Sequence, residues 1–427
     1  MSQTKKKSFG LGYSLIFHSM LSYWLYNSTA SAGLNIIVPM FAEKNGIEQT
    51  AVLSANSVGA IVSCVAVLLL GKLIAVKGIR FTTVISAIFA GLIGAGGMVF
   101  AHSLASYAVC TIFAQSLCYG YSFTATNALI TNWFPRKKGI VMGITTTGIM
   151  IASLTLIRWM SAVGGKYGFD TMMYMVAAIL IGFGVISIFW IKDRPEDVGL
   201  DPDNIPLTEQ EKQDAYFLAQ SQEQAAKRWP VKELAQNKTA WLIAIAFGFL
   251  VMFTSGVAST TVPFGIESGF APPAAVNSMS LTAIPGVVGS IITGAIDSKW
   301  GPKVASLLCS IWIALSFFSL LVFHGTTGAI VCVTMANVTM GSVANLAPSL
   351  IGTCFGRDCF TQCYRVIYTV TYLIRSLCFL LIGTGVNVLG SYRLVYIVFG
   401  FLAIVSMICI LLISDKVVQQ PKHSEAA

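Results

Sequence analysis

Apolar positions along the chain come in long continuous runs, without strand alternation and without sustained heptads. Twelve runs stand out, near 13–41, 50–71, 81–101, 104–131, 139–164 and 168–191, then near 239–267, 273–297, 303–323, 326–354, 362–389 and 392–414. Each reaches the roughly 20 residues that a helix needs to cross ~30 Å of hydrocarbon. No stretch has the period-two pattern of a transmembrane barrel. The first run continues well past the core of a cleavable leader, so it reads as the first helix. The pattern predicts an all-α integral membrane protein with twelve transmembrane helices.

The polar interruptions divide these helices six and six. Residues 192–238 carry ten of the 18 acids and read as a solvated tether, in which Thr208 and Glu211 have the spacing of a capping box. The expected organisation is an N-terminal six-helix bundle over 1–191, a cytoplasmic linker over 192–238, a C-terminal six-helix bundle over 239–414 and a cytoplasmic tail over 415–427. Composition agrees with this class: only 11% of residues are charged and 55% are hydrophobic, where soluble domains carry about 25% charge. With the N-terminus inside, 22 of the 27 Lys and Arg fall on the cytoplasmic side and only Lys44, Lys166 and Arg393 outside. This bias sets the orientation, with both termini cytoplasmic in the plasma membrane. It also accounts for the net charge of +9 without a nucleic-acid partner. Most of the ten cysteines lie in apolar runs and read as buried thiols.

The two halves repeat a local pattern. Gly71, Gly78 and Arg80 lie between spans two and three; Gly294, Gly301 and Lys303 lie between spans eight and nine, each 223 residues later. Val38-Pro39 in span one is echoed by Val262-Pro263 in span seven. Duplicated halves of this kind place a binding site between them and permit alternating access. In these loops and spans the chain resembles a major facilitator superfamily transporter over nearly its whole length. The resemblance implies two pseudo-symmetric six-helix bundles. The superfamily's loop acid is replaced by Ala75 in the first copy and by Ser298 in the second, with Asp297 one place early. Asn132-Trp133-Phe134-Pro135-Arg136-Lys137-Lys138-Gly139 and Arg194-Pro195-Glu196-Asp197-Val198-Gly199-Leu200 resemble the monocarboxylate and oxalate/formate branch.

Charges inside spans locate the candidate site. An ionised side chain at mid-bilayer costs at least ~2.5 kcal/mol on insertion scales, and such groups serve function by default. Arg375 lies halfway along span eleven, with Tyr372, Tyr368 and Arg365 preceding it on one helical stripe. No acid falls in the middle of a span, so an anionic substrate is the simplest partner for a guanidinium suited to carboxylate or phosphate. The resemblance also implies a substrate-binding cation on span eleven, where Arg375 falls, and a second on span eight, where this chain has none. Arg158 in span five either faces the cavity as its replacement or snorkels to the outer interface. Gln115, Tyr119, Ser122 and Thr126 form a polar face on span four; Tyr23 and Asn27 on span one and Asn337 and Asn345 on span ten complete the candidates. His18, near the start of span one, reads as an interfacial residue.

These features predict a secondary transporter of a small organic anion, a mono- or dicarboxylate, acting as a monomer in the lipid bilayer. Transport proceeds either by exchange with a counter-anion or with a coupled proton. The alternatives are an efflux transporter for amphipathic drugs and a non-transporting receptor on the same scaffold. No metal-ligand cluster, nucleophile elbow or phosphate loop is visible, so neither an enzyme nor a cofactor is expected.

Overall fold

The computed structural model describes residues 3–134, 138–200, 231–355 and 360–414, and these are helical almost throughout. In chain order the principal helices are α1 (Gln3–Ala30), α2 (Leu34–Asn45), α3 (Gln49–Lys77), α4 (Ile79–Phe89), α5 (Leu104–Tyr119), α6 (Lys138–Leu154) and α7 (Leu156–Trp190), with shorter helices at Gly96–Phe100, Ala125–Trp133 and Val231–Gln236. They continue with α8 (Lys238–Glu267), α9 (Pro272–Trp300), α10 (Pro302–Val322), α11 (Gly325–Phe355), α12 (Phe360–Ser376), α13 (Cys378–Leu389) and α14 (Tyr392–Leu411). The expected spans map onto these helices. Span one is α1 plus α2, broken at residues 31–33. Spans five and six share α6 and the long α7, and span eleven is α12 plus α13, broken at Leu377. The Thr208/Glu211 capping box and most of the linker lie outside the described residues.

The helices turn corners on glycine. Gly78, Gly168 and Gly301 have nearly the same backbone, with φ of 90°, 85° and 86° and ψ of 168°, 169° and 164°. Side chains are essentially barred from that region. The same corner therefore ends spans two, five and eight, and Gly168 extends the two-copy repeat legible in the sequence.

Side chains are distributed as in a membrane protein. Large apolar groups face outward, among them Phe189 at 79% and Val388 at 83% exposure. Small polar groups such as Ser19, Ser22, Asn56 and Ser310 are fully buried. Many hydroxyls bond the carbonyl one turn back, as Thr29 does to Leu25 at 2.8 Å, which satisfies them without water.

Contacts group the chain into two compact units. Unit 1 comprises residues 1–207, 255–284 and 376–395; unit 2 comprises 208–254, 285–375 and 396–427. The units therefore do not coincide with the two halves of the sequence. The C-terminal part of α8, the start of α9 and all of α13 pack with the N-terminal helices.

Hydrogen bonds explain this grouping inside unit 1. Asn35, 1% exposed, donates to the carbonyl of Ala258 at 2.5 Å and accepts from the amide of Val262 at 2.9 Å. These are the i and i+4 groups of one turn of α8 beside Pro263, so the side-chain amide is spliced into the ladder of the neighbouring helix. The amide of Leu380, near the break at Leu377, donates to Ser57 Oγ of α3 at 2.6 Å.

On the cation-rich side of unit 1, Asp193 accepts from the amides of Ile79 at 2.9 Å and Arg80 at 2.8 Å, capping α4. A side chain at Gly78 would collide with this carboxylate. Asn132 donates to the carbonyl of Asp193 at 3.1 Å and Trp133 to that of Lys192 at 2.9 Å. The two sequence signatures around Trp133 and Asp193 thus hold each other, over an apolar core of Leu15, Ile79, Leu129, Trp133 and Ile191.

Candidate functional site

In unit 2, the stripe on α12 forms a ladder. The rings of Tyr364 and Tyr368 stack at 4.7 Å between centroids, those of Tyr368 and Tyr372 lie 4.8 Å apart at 55°, and the Arg375 guanidinium sits 5.5 Å from the Tyr372 ring. Steps of four, four and three residues keep all four groups on one face. The three rings are half-buried, whereas Arg375 is only 4% exposed.

α8 fixes the register of α12. Thr371 Oγ1 donates to the carbonyl of Ala244 at 3.4 Å, and Ile374 lies so close to Gly248 that a Cβ there would come within 2.8 Å of it. A guanidinium over an aromatic face gains about 0.5–2 kcal/mol from the ring quadrupole. A guanidinium is planar, and its donor fork is the geometry that binds carboxylate or phosphate with two parallel bonds.

In unit 1, a second aromatic group lies between α1 and the α5 segment with its continuation, the helix Ala125–Trp133. Tyr26 donates to the hydroxyl of Tyr119 at 3.0 Å, and Tyr23 donates to Asn127 Oδ1 at 3.0 Å. Phe123 touches all three rings, edge-on to Tyr23 at 5.1 Å and Tyr26 at 4.9 Å and stacked on Tyr119 at 5.1 Å. The backbone widens here into a π turn at Gly120–Thr124, a device frequent at functional positions. Phe123 and Asn127 are half-buried, whereas Tyr23, Tyr26 and Tyr119 are buried.

The other expected site residues are distributed as follows. Asn27 donates to the carbonyl of Ile149 at 2.8 Å and to Ser153 at 3.3 Å, tying α1 to α6. Gln115 donates to the carbonyl of Asn56 at 3.1 Å, tying α5 to α3. Arg158 lies near the start of α7, half-buried, and lines a cavity within unit 1. The side chains of Asn345 and Arg365 lie outside the described residues.

His18 differs from expectation. It is 1% exposed, bonded through Nε2 to Ser187 at 2.8 Å and stacked on Phe183 at 4.8 Å. α1 begins at Gln3, ten residues before the apolar run, so His18 lies some four turns inside the helix instead of at its end.

Four members of the two groups were not among the expected residues: Tyr26, Phe123, Asn127 and Tyr364. Their spacing did signal them. Tyr26 follows Tyr23 by three, Phe123 follows Tyr119 by four, and Tyr364 precedes Tyr368 by four.

Long apolar helices, an apolar exterior and polar packing inside define a multi-pass membrane protein. Residues 15–377 match the Major Facilitator Superfamily, and the chain belongs to that family.

Among curated relatives, a glucose-6-phosphate exchanger of Xenopus laevis is 25% identical over 65% of this chain and 60% of its own length. A membrane sensor protein of Salmonella typhimurium is 23% identical over 49% of this chain and 47% of its own. The chain thus spans about 60% or less of the length of these relatives. Among solved structures, a bacterial homolog of the human lysosomal transporter Spinster superposes with a TM-score of 0.71 at 10% identity, covering 94% of this chain and 96% of that one. A D-xylose–proton symporter gives 0.71 at 11%, covering 95% and 99%. At such identities these two speak for the fold alone.

The superfamily expectation from the sequence therefore holds. The finer resemblance, to the carboxylate branch, does not carry over to these relatives, one of which is named for exchange of a phosphate ester.

Proposed function

We propose that the protein is a secondary transporter of a small organic anion, and that the anion is a phosphate ester such as a sugar phosphate. The observation that carries this reading is Arg375, 4% exposed at the head of the Tyr364–Tyr368–Tyr372 ladder. A phosphate is a strong bidentate partner for a guanidinium. Tyrosine rings offer apolar faces to a sugar ring and hydroxyls to its oxygens. The exchanger among the relatives supports a phosphate ester over the carboxylate that the sequence motifs favoured.

In this reading Arg375 anchors the charge, Tyr372 orients the ester, and Tyr368 and Tyr364 line the approach. Exchange of one anion for another is the favoured mode, because each passage then carries a negative charge on the guanidinium. The two bundles, joined by the linker over 192–238, move as halves of an alternating-access cycle in the plasma membrane, with both termini cytoplasmic.

Counterflow in liposomes tests this. Vesicles containing the purified chain are loaded with glucose-6-phosphate, glycerol-3-phosphate, inorganic phosphate, or mono- and dicarboxylates, and uptake of each labelled solute is followed. Exchange of phosphate esters that is lost in Arg375→Gln, with the variant still folded in the membrane, is the expected result. Exchange of carboxylates alone would return the substrate to the branch suggested by the motifs. Exchange of cations or neutral solutes alone would end the anion reading. The sensor among the relatives motivates a second reading, a receptor, which specific binding without any flux would favour.

A further inference from the structure

The two copies of the repeat carry matching outward stripes that end in different chemistry. On α3, Val58, Val65 and Leu69 are exposed, and on α9 so are Leu281, Val288 and Ile292, each 223 residues later. The same offset relates Gly78 to Gly301. Steps of seven and four residues keep each stripe on one helical face. At 1.5 Å per residue, Val58 to Leu69 covers ~16 Å, the depth of one leaflet of a ~30 Å hydrocarbon core. The α3 stripe begins one residue past Ser57, which α13 engages through the amide of Leu380.

The heads of the stripes differ. The first runs on into Lys72, then into Lys77 and Arg80 on either side of the Gly78 corner, all three exposed. Lys192 joins them, because the carboxylate of the next residue, Asp193, bonds the amides of Ile79 and Arg80. The second copy has Ala295 at the position of Lys72 and Trp300 at that of Lys77, and keeps Lys303 as the counterpart of Arg80. Its other cation, Lys299, lies 5.0 Å from the Trp300 ring, and Asp297 puts an acid in the same turn.

The cations of the first corner have no protein partner. Among the described residues, the side chains of Lys72, Lys77, Arg80 and Lys192 make no hydrogen bond, ion pair or ring contact. The nearby acids do not neutralise them. The superfamily's loop acid is Ala75 here, and Asp193 is occupied by the two amides. Glu196 and Asp197, on the turn Pro195–Val198, form no ion pair with any of the four. The positive-inside bias accounts for cations on this side, but it does not distinguish the two copies.

We propose that the α3 stripe and the cations at its head form a docking surface for one anionic phospholipid of the leaflet on the cation-rich side. An acyl chain lies along Val58, Val65 and Leu69. The headgroup phosphate meets Lys72 and Lys77, and Arg80 and Lys192 add to the local potential. Basic clusters beside a span attract anionic headgroups in this way. The surface is independent of the role given to Arg375.

Photo-crosslinking on the purified full chain tests this, with the second copy as an internal reference. The chain is placed in nanodiscs of phosphatidylcholine and phosphatidylglycerol. One lipid at a time carries a photoactivatable acyl chain, and mass spectrometry reads adducts on peptides covering 58–72 and 281–295. Each cation near the surface is worth about five-fold in headgroup binding. The phosphatidylglycerol-to-phosphatidylcholine adduct ratio on 58–72 should therefore exceed that on 281–295 by about 25-fold, for the two cations that the second copy lacks.

Lys72→Gln alone should lower the ratio on 58–72 about five-fold, and Lys72→Gln with Lys77→Gln should bring it to the value on 281–295. Lys299→Gln with Lys303→Gln removes the same charge from the second corner and should leave the ratio on 58–72 unchanged. Glycerol 1-phosphate at constant ionic strength should not displace the lipid. Equal ratios on the two stripes of the parent chain would overturn the proposal, as would equal losses from the two double variants, because charge would then be acting without a local surface. Displacement by glycerol 1-phosphate would also overturn it, since the corner would then read a free phosphate ester without need of the stripe.

Discussion

Truncating Asn35 should loosen the joint between α2 and α8. The side-chain amide makes two cross-helix bonds, to the Ala258 carbonyl at 2.5 Å and from the Val262 amide at 2.9 Å. A third bond, to the carbonyl of Ala32 at 2.8 Å, holds its own turn. Interhelical hydrogen bonds in membrane proteins average ~0.6 kcal/mol and reach ~1.7 kcal/mol. Asn35→Ala should therefore cost about 1–3 kcal/mol, since the two α8 groups recover only part of the loss by closing on each other. That corresponds to a roughly 5- to 150-fold larger population of the opened joint.

Hydrogen exchange read by mass spectrometry on peptides covering 255–266 measures this directly. Where local opening limits exchange, the rate at Val262 should rise by the same factor, while peptides from α10 should not change. Asn35→Asp should be more severe than Ala. It keeps the acceptor for Val262 but turns an oxygen toward the Ala258 carbonyl and buries a charge in an apolar joint. If neither variant alters exchange at Val262 by more than about twofold, the amide is incidental and the helices are held by packing alone.

Other expectations follow from the same contacts. Asp193→Ala removes the cap from α4 and should cost about 1–2 kcal/mol; Gly78→Ala forces a side chain into φ of 90° and against the Asp193 carboxylate. Because that collision vanishes with the carboxylate, the double variant should melt higher than additivity predicts, and thermal unfolding in detergent of the two singles and the double checks this. Gly289→Ala should lower the melting temperature markedly, since a Cβ there would strike the carbonyl of Val338 on α11, and overpacking typically costs 1–3 kcal/mol. In counterflow, Arg375→Lys should retain a charge but lose the fork, lowering apparent affinity about tenfold. Tyr372→Phe keeps the ring under the guanidinium and should spare Arg375 placement while weakening substrate orientation; Tyr372→Leu should add a further loss of about 1 kcal/mol from the missing cation–π contact.

The fold was legible because its determinants are local and periodic. Length of apolar run, glycine at a corner and the side on which cations fall each leave a mark in consecutive residues. The α12 stripe was legible for the same reason, as Tyr368, Tyr372 and Arg375 are related by helical spacing within one segment. Contacts between distant segments left no such mark. For Gln115 and Asn27 the sequence leaves cavity lining and helix-to-helix bonding both open, because an amide on an apolar helix is polar whether it meets a ligand or a neighbouring backbone. The backbone partners, at Asn56 and Ile149, lie 59 and 122 residues away and leave no mark in the local sequence. His18 was misplaced because hydropathy marks where a helix becomes apolar, and the lysine-rich first turns of α1 are helical without being apolar. Asp193 shows the converse case. The superfamily's loop acid is absent at Ala75, yet a carboxylate still caps the next helix, delivered from the end of span six after a separation of 114 residues. The physical requirement at that corner is negative charge facing two exposed amides, and nothing in the requirement fixes which segment supplies it.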